Sequence, residues 1–357
     1  MKTSIKLQWV AGISAMIASL CAHAYPGERI VLDPATGNYT ITYRSSDENI
    51  TDLMQTVLVP HTKIEPAIRS SFRLGEPGTI TYRYTVSNGT TAKQAIIGIW
   101  LDGMGTIVGE REESEDPATP LAVVDAVSAA NKAALSTPPN WNGSIIRSMS
   151  RVAWNPTASF IRTGGIQAGR TVSGFGFASL DLPGISLSKL RGIDKVGGGF
   201  GYADEGPAED SAILAELERL QDNDFVPRNA AVPMIAVPNP FDAATLLERI
   251  QTQMHTWIAM QLLDPAFSAQ LDRYFQSAIS AYRLNQPKVG KKQIQTMREL
   301  LKKEHADADR EDSNDDRVEK GDRDDKNKRA LIDKFAARVL DFDLKYVAKR
   351  MGGDKDG

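Results

Sequence analysis

Histidine is among the side chains most often used as a metal ligand or a general base, and it is scarce in this sequence. The chain has 357 residues and four histidines, and no two of His61, His255 and His305 have metal-ligand spacing. No serine lies in a Gly-x-Ser-x-Gly motif, so a Ser/His/Asp triad would have to recruit His61 without any local signal. The sequence therefore predicts no metal ligand and no catalytic residue.

Two stretches have the composition of a ligand-binding loop without its pattern. "GGGFG", beginning at Gly197, lacks the Lys-Ser/Thr pair of a phosphate-binding loop. An EF-hand calcium loop starting at Asp307 would need glycine and glutamate where the chain has Asp312 and Val318. We interpret the first stretch as a flexible linker and the acidic run from Asp307 to Asp316 as solvated charges, so no cofactor is predicted.

Tryptophan side chains could form an aromatic face for a sugar or for a protein partner. Trp100 and Trp154 lie in strand-like segments, where aromatic residues usually belong to the core. Trp141 lies in the polar stretch "PPNWNGS" and is the hardest of the three to explain as core. We therefore predict Trp141, and after it Trp100 and Trp154, as possible contacts of a ligand or a partner.

The elements that would position these residues are predicted to be β-strands in the first half of the chain. Apolar and polar residues alternate around Ile41 and again from Ile80 to Val86, as in strands with one buried face. The dipeptide Asn88-Gly89 then predicts a hairpin. Residues 25–192 are predicted to form an antiparallel β-sandwich with a helical insertion near 110–140.

The stretch "RTVSGFGFASL" alternates phenylalanine with glycine. Phe175 and Phe177 fall on one side of a predicted strand, and Gly174 and Gly176 fall on the other. We predict that the phenylalanines fill the core and that the glycines permit a close neighbour. This interpretation requires no ligand beside the glycines.

The second half of the chain is predicted to be a linker followed by helices. Residues 193–241 are rich in glycine and proline and are predicted to be a linker with one short helix. Residues 242–350 are predicted to form a small helical bundle, with Asp242 and Asp264 as N-caps of its first two helices. The charged stretch 304–329 is predicted to be a partly disordered loop, with an exposed helical extension as the alternative.

The N-terminal residues have the pattern of an export signal. A positive start and a short apolar run precede Ala22 and Ala24, which are small enough for signal cleavage. Residues 1–24 are therefore predicted to be a signal peptide cleaved between Ala24 and Tyr25, with lipid attachment at Cys21 as the alternative. No later apolar run predicts a transmembrane helix, and the protein is expected to be periplasmic or secreted.

The charge balance and the cysteine count exclude further classes of function. The 42 basic and 45 acidic residues nearly cancel, which argues against a nucleic-acid partner. Cys21 is the only cysteine, so a chain cleaved after Ala24 has no disulfide and no thiol nucleophile. We interpret the four glycosylation sequons as turn residues; they begin at Asn38, Asn49, Asn88 and Asn142.

Two longer stretches resemble known families. "YRYTVSNGTTAKQAIIGIWLDG" followed by "IQAGRTVSGFGF" is similar to the repeat-type immunoglobulin-like domains of bacterial secreted proteins. "LDRYFQSAISAYRLNQPKVGKKQIQTMRELL" resembles the small helical modules of bacterial surface and secreted proteins. The resemblances imply a segregated α+β fold, with an N-terminal antiparallel immunoglobulin-like β-sandwich and a C-terminal small helical bundle, and they supply no catalytic residue.

Two hypotheses of function follow from these patterns. The first is an exported, non-enzymatic binding or assembly protein of the cell envelope or the extracellular space, with a protein or a polysaccharide as its partner. The alternative is a secreted hydrolase acting on polysaccharide, because paired carboxylates need no sequence motif. A calcium-dependent structural role for the acidic run is a third hypothesis.

Overall fold

The computed structural model describes residues 26–75, 78–111, 121–157, 164–193, 206–312 and 330–352. Within these ranges strands dominate the N-terminal part and helices the C-terminal part, so the fold is α+β. The predicted signal peptide with its cleavage site at Ala24 and Tyr25 lies outside them, as do the glycine-rich stretch at Gly197 and residues 313–329 of the predicted charged loop.

The elements follow one another along the chain in a largely segregated order. The strands are β1 (Arg29–Asp33), β2 (Asn38–Arg44), β3 (Leu53–Leu58), β4 (Pro66–Leu74), β5 (Ile80–Asn88), β6 (Ala95–Asp102), β7 (Leu135–Ser136), β8 (Trp141–Ile146), β9 (Arg151–Pro156), β10 (Thr171–Ser179), β11 (Leu182–Ile193) and β12 (Val226–Ile235). The helices are α1 (Leu121–Ala133), α2 (Leu214–Asp222), α3 (Ala243–Ala259), α4 (Pro265–Arg283), α5 (Pro287–Asp312) and α6 (Lys334–Gly352), with one turn of 3-10 helix at Arg147–Met149.

Two antiparallel sheets face each other across a shared apolar core. One has the strand order β4-β5-β10-β7 and the other the order β12-β11-β6-β9-β8. Trp154 of the second sheet is fully buried and stacks on Phe177 of the first, with 6.3 Å between ring centroids and 9° between ring planes. Phe175 packs on the same indole at 5.6 Å. The prediction that Phe175 and Phe177 fill the core is therefore confirmed.

Strand β12 shows that the predicted linker 193–241 is in part an integral strand. It pairs with β11 along most of its length, and it lies at the edge of the five-stranded sheet. Pro227 and Pro233 lack the N–H of a strand ladder, which is why this stretch resembles a linker in sequence. An edge strand tolerates proline, because a strand neighbour is present on one side only.

The C-terminal helices continue the core of the two sheets. One cluster of buried apolar residues extends from Trp154 between the sheets to Trp257 in α3 and Leu340 in α6. The predicted N-caps are confirmed: a carboxylate oxygen of Asp242 accepts from the amide of Thr245, and one of Asp264 accepts from the amide of Ala266. The helices and the sheets are thus packed as one body in the described residues.

The first three strands, which fall within the predicted sandwich, form a separate small sheet and belong to neither of the two facing sheets. Their order is β1-β2-β3. Ile41, Tyr43 and Leu58 pack against Ile213 and Leu217, and together these residues form a second, smaller core. The Leu217 side of α2 covers this sheet, so the short helix predicted in the linker has a defined packing partner. The alternation around Ile41 predicted the strand, but it could not predict which sheet the strand would join.

Two further helical segments bear on the sequence predictions. Helix α1 lies inside the insertion predicted near 110–140. Helix α5 continues to Asp312, so the first part of the charged stretch 304–329 has a helical backbone, as in the alternative interpretation. None of the helices in the described ranges is long and apolar enough to cross a membrane.

Candidate anion-binding groove

The three predicted tryptophan contacts lie in different surroundings. Trp141 is only 6% exposed because its ring turns from the start of β8 onto Phe175, at 5.1 Å and nearly perpendicular. Trp154 is buried between the sheets. Trp100 alternates with the buried Ile99 and Leu101, so its ring lies on the outer face of its sheet and is partly exposed. A contact between these rings and a ligand stays a prediction.

Trp100 belongs to a network of paired charges. The guanidinium carbons of Arg151 and Arg191 lie 4.9 Å and 5.4 Å from its ring centroid. Arg151 also forms an ion pair with Asp102, and Lys189 Nζ lies 3.3 Å from the same carboxylate. Burial would raise the pKa of Asp102, but the hydrogen bonds and charges of Arg151 and Lys189 lower it. The carboxylate of Asp102 neutralises positive charge here, which favours a structural network over a ligand site.

A concave site lies where β4, β12 and α6 meet, and we call it the junction groove. Its volume is about 570 Å³, which falls in the range of small-ligand sites, roughly 300–1,000 Å³. It is lined by Ala67, Ile68, Arg69, Ser70, Arg228, Asn229, Asp333, Lys334, Phe335 and Arg338.

The groove follows the edge of β4 opposite β5, its strand neighbour in the described residues, and β12 lies beside this edge with the amide of Ala231 donating to Ser70 Oγ at 3.1 Å. Just beyond the two ends of this pairing, the amide of Gly89 donates to Glu65 O and the amide of Gly75 donates to Thr79 O. Because hydrogen-bonded and non-hydrogen-bonded pairs alternate in an antiparallel ladder, the odd-numbered residues of β4 bond to β5. The backbone groups of Ile68 and Ser70 therefore point away from β5, towards the groove.

Two arginines cover this strand edge. Arg228 Nε donates to Pro66 O at 2.7 Å, and Arg338 Nη2 donates to Ser70 O at 2.7 Å. The Arg338 guanidinium also lies over the ring of Phe335, at 5.4 Å. These contacts fix both guanidinium groups while using only some of their five N–H donors.

The charges that line the groove are mostly positive. Its described lining residues include four cationic side chains, Arg69, Arg228, Lys334 and Arg338, and one carboxylate, Asp333. Asp333 Oδ1 accepts from the amide of Phe335 at 2.8 Å, as the N-cap of α6, so this carboxylate serves the helix. Fixed arginine forks match carboxylate, sulfate and phosphate groups, so the groove is suited to an anion.

Helix α6 also carries an unusual buried acid. Asp343 is fully buried, and within the described residues neither of its carboxylate oxygens has a hydrogen-bond partner. Burial raises the pKa of Asp343 well above its ordinary value. Burial is the main cause that raises the pKa of the nearby Tyr82 phenol, and electrostatic interactions with Tyr84 and Asp343 raise it further. Burial of Asp343 therefore lowers the stability of the folded protein, in the helix that lines the groove.

Sequence reasoning missed the cationic residues of the groove. Arg228 lies in the stretch predicted to be a linker, and Arg69 lies in a strand whose neighbours were unknown. Lys334 and Arg338 are four residues apart on a predicted helix, and that spacing could have indicated a common face. The described residues contain no group of three histidine, cysteine or acidic side chains arranged to hold a metal ion.

Comparison of the chain with protein-family models, with curated proteins and with solved structures finds no match. The geometry and charge of the junction groove are the observations that bear on function. They describe a site that can hold an anion by fixed hydrogen-bond donors.

Proposed function

We propose that this is an exported, non-enzymatic binding or assembly protein of the cell envelope or the extracellular space, and that its junction groove binds an anionic group of its partner. The partner is a protein or a polysaccharide that carries carboxylate, sulfate or phosphate. The two facing sheets are proposed to be an immunoglobulin-like sandwich, which supplies the rigid edge strand β4.

The observation that carries this proposal is the fixed arginine pair. Arg228 and Arg338 are held by the backbone carbonyls of β4, and Arg69 and Lys334 add exposed positive charge beside them. Donors that are fixed before binding lose little conformational entropy when the ligand arrives, so they favour affinity. The apolar side chains Ile68 and Phe335 provide contact area for the rest of the ligand.

Charge reversal at the groove is expected to weaken binding of anionic probes. The double variant Arg69→Glu/Lys334→Glu leaves the two carbonyl-bound arginines in place and changes only exposed side chains. We expect its dissociation constant for a fluorescent deca-glutamate peptide or an oligogalacturonate to rise at least about tenfold, which corresponds to about 1.4 kcal/mol. Fluorescence polarisation at about 0.15 M salt, where the Debye length is about 8 Å, measures this effect.

The matched control is Lys302→Glu/Lys303→Glu, which makes the same charge change at exposed positions of α5. We expect the control to bind within about twofold of the wild type, since exposed charges outside a site are largely screened by salt. Equal weakening in the two variants would mean attraction by net charge alone and would contradict the proposal. If neither probe bound to the wild type, that result would also contradict the proposal.

A further inference from the structure

The junction groove is one end of a longer feature along β4 and α6, which run side by side in the same direction. Residues at the start of both elements line the junction groove. Midway, the rings of Phe72 and Phe342 meet edge to face at 4.9 Å. Residues at the end of both elements line a second cavity of about 480 Å³. The helix thus follows the strand from one cavity to the other.

We call this second cavity the distal groove. It is lined by Leu74, Gly75, Gly78, Phe241, Tyr346, Lys349 and Arg350. The Arg350 guanidinium lies 4.9 Å from the centroid of the Phe241 ring, so this cation is held by an aromatic face. Lys349 is exposed beside it. The charged side chains among the described lining residues are both positive.

Positive side chains also connect the two grooves. At 100° per residue, Lys334, Arg338, Lys345 and Lys349 fall within an arc of about 60° on α6. Asp341 lies at the border of this arc, but its carboxylate pairs with Arg298 of α5, with 2.7 Å between Nε and Oδ1. The helix therefore presents one cationic stripe that runs from the junction groove to the distal groove.

The length of the stripe indicates the size of its ligand. A helix rise of 1.5 Å per residue separates Lys334 from Lys349 by about 22 Å along α6. An extended polypeptide rises about 3.3 Å per residue, so about seven residues span that distance. A small anion would occupy one groove only.

The part of the β4 edge at Ile68, between the two arginines, favours a polypeptide as the ligand. Ile68 lies between the two carbonyls that the arginines cover, and the ladder parity directs its own N–H and C=O towards the junction groove. An extended peptide can pair with such groups while its side chains meet the neighbouring charges. We infer that the two grooves form one elongated site for an extended acidic peptide segment of a partner, an inference that rests on the proposed function because it takes the junction groove as the binding site.

The test measures how affinity depends on the length of the peptide. Oligoglutamates of four to twelve residues are titrated against the wild type by fluorescence polarisation. We expect the dissociation constant to fall at least about tenfold between four and about eight residues and then to level off, because the second groove is engaged at a high effective concentration. In Lys345→Glu/Lys349→Glu this gain is expected to disappear, while the tetramer keeps its affinity.

These variants separate failure of the inference from failure of the proposed function. The substitutions spare Arg350, which packs on Phe241, and Lys302→Glu/Lys303→Glu serves again as the charge-matched control. A gain with length that persists in Lys345→Glu/Lys349→Glu would overturn the elongated site, although the groove proposal would stand. Binding that is insensitive to Arg69→Glu/Lys334→Glu would overturn both.

The class of partner is tested with probes of equal charge. Methylation of alternate backbone nitrogens of the eight-residue peptide removes donors without changing its charge, and we expect at least about fivefold weaker binding if the peptide pairs with β4. Unchanged affinity of the methylated peptide would overturn this mode of recognition. Tighter binding of an oligogalacturonate of equal charge would overturn the choice of a peptide in favour of a polysaccharide.

Discussion

Replacement of Asp343 by leucine is expected to raise the free energy of unfolding at pH 7, by about 1–3 kcal/mol. The carboxylate is fully buried in α6 and, within the described residues, accepts no hydrogen bond. A buried acid without a partner is either charged and without hydration, or neutral because it has taken up a proton. Both states lower the stability of the folded protein. Leucine has the same number and branching of side-chain heavy atoms and removes both costs. Unfolding in urea measures the difference.

The same residue predicts a pH dependence with a definite sign. An aspartate in the unfolded chain ionises above about pH 4, whereas burial raises the pKa of Asp343 in the folded protein. Above about pH 4 the unfolded state therefore binds fewer protons than the folded state, and the contribution of this group to stability falls as pH rises towards the folded pKa. We expect Asp343→Asn and Asp343→Leu to reduce this decline between pH 4 and pH 8.

Asp341→Asn is the matched control on the same helix. Asp341 is partly exposed and pairs with Arg298, so its substitution is expected to leave stability at pH 7 unchanged or to lower it by up to about 1 kcal/mol. Lower stability of Asp343→Leu, or a pH dependence equal to that of the wild type in both Asp343 variants, would show that the buried carboxylate has a stabilising partner.

Replacement of Asn88 by alanine is expected to lower the free energy of unfolding by about 3–5 kcal/mol. The Asn88 side chain is buried at the end of β5, with 2% of the residue exposed. Its Oδ1 accepts from the amide of Glu65 at 3.0 Å, and its Nδ2 donates to Gln94 O at 2.8 Å and Ile166 O at 3.0 Å. Alanine would leave these three backbone groups without that partner.

Asn142 provides the comparison, because it also begins a sequon but lies exposed in β8. Asn142→Ala is expected to change stability by less than about 0.5 kcal/mol. Thermal and urea unfolding of both variants gives the answer. Similar small effects at the two positions would mean that water replaces the Asn88 side chain without cost.

Local patterns account for the elements that the sequence predicted well. The N-caps Asp242 and Asp264 satisfy amides within the next three residues, so a short stretch of sequence contains the whole interaction. The alternation from Ile80 to Val86 similarly reports one buried face of one strand. In both cases the physical cause lies within the segment itself.

Sheet order and the grooves could not be predicted, because their causes are not local. Pro227 and Pro233 indicate a linker unless it is known that β12 lies at an edge. The junction groove combines Arg69, Arg228 and Arg338, which are distant in sequence and meet only after β4, β12 and α6 have packed. Trp141 shows the reverse case, in which a polar sequence context conceals a buried ring.

The position of β12 in the chain also sets an order of events during synthesis. Its partner β11 ends at Ile193, and the chain passes through α2 before Val226 begins the closing strand. In a chain that folds as it emerges from a ribosome or a membrane pore, the segment up to Asp222 therefore has β11 as an open sheet edge, which is able to recruit other chains. The five-stranded sheet is completed only when Ile235 has emerged, shortly before α3 begins to cover it.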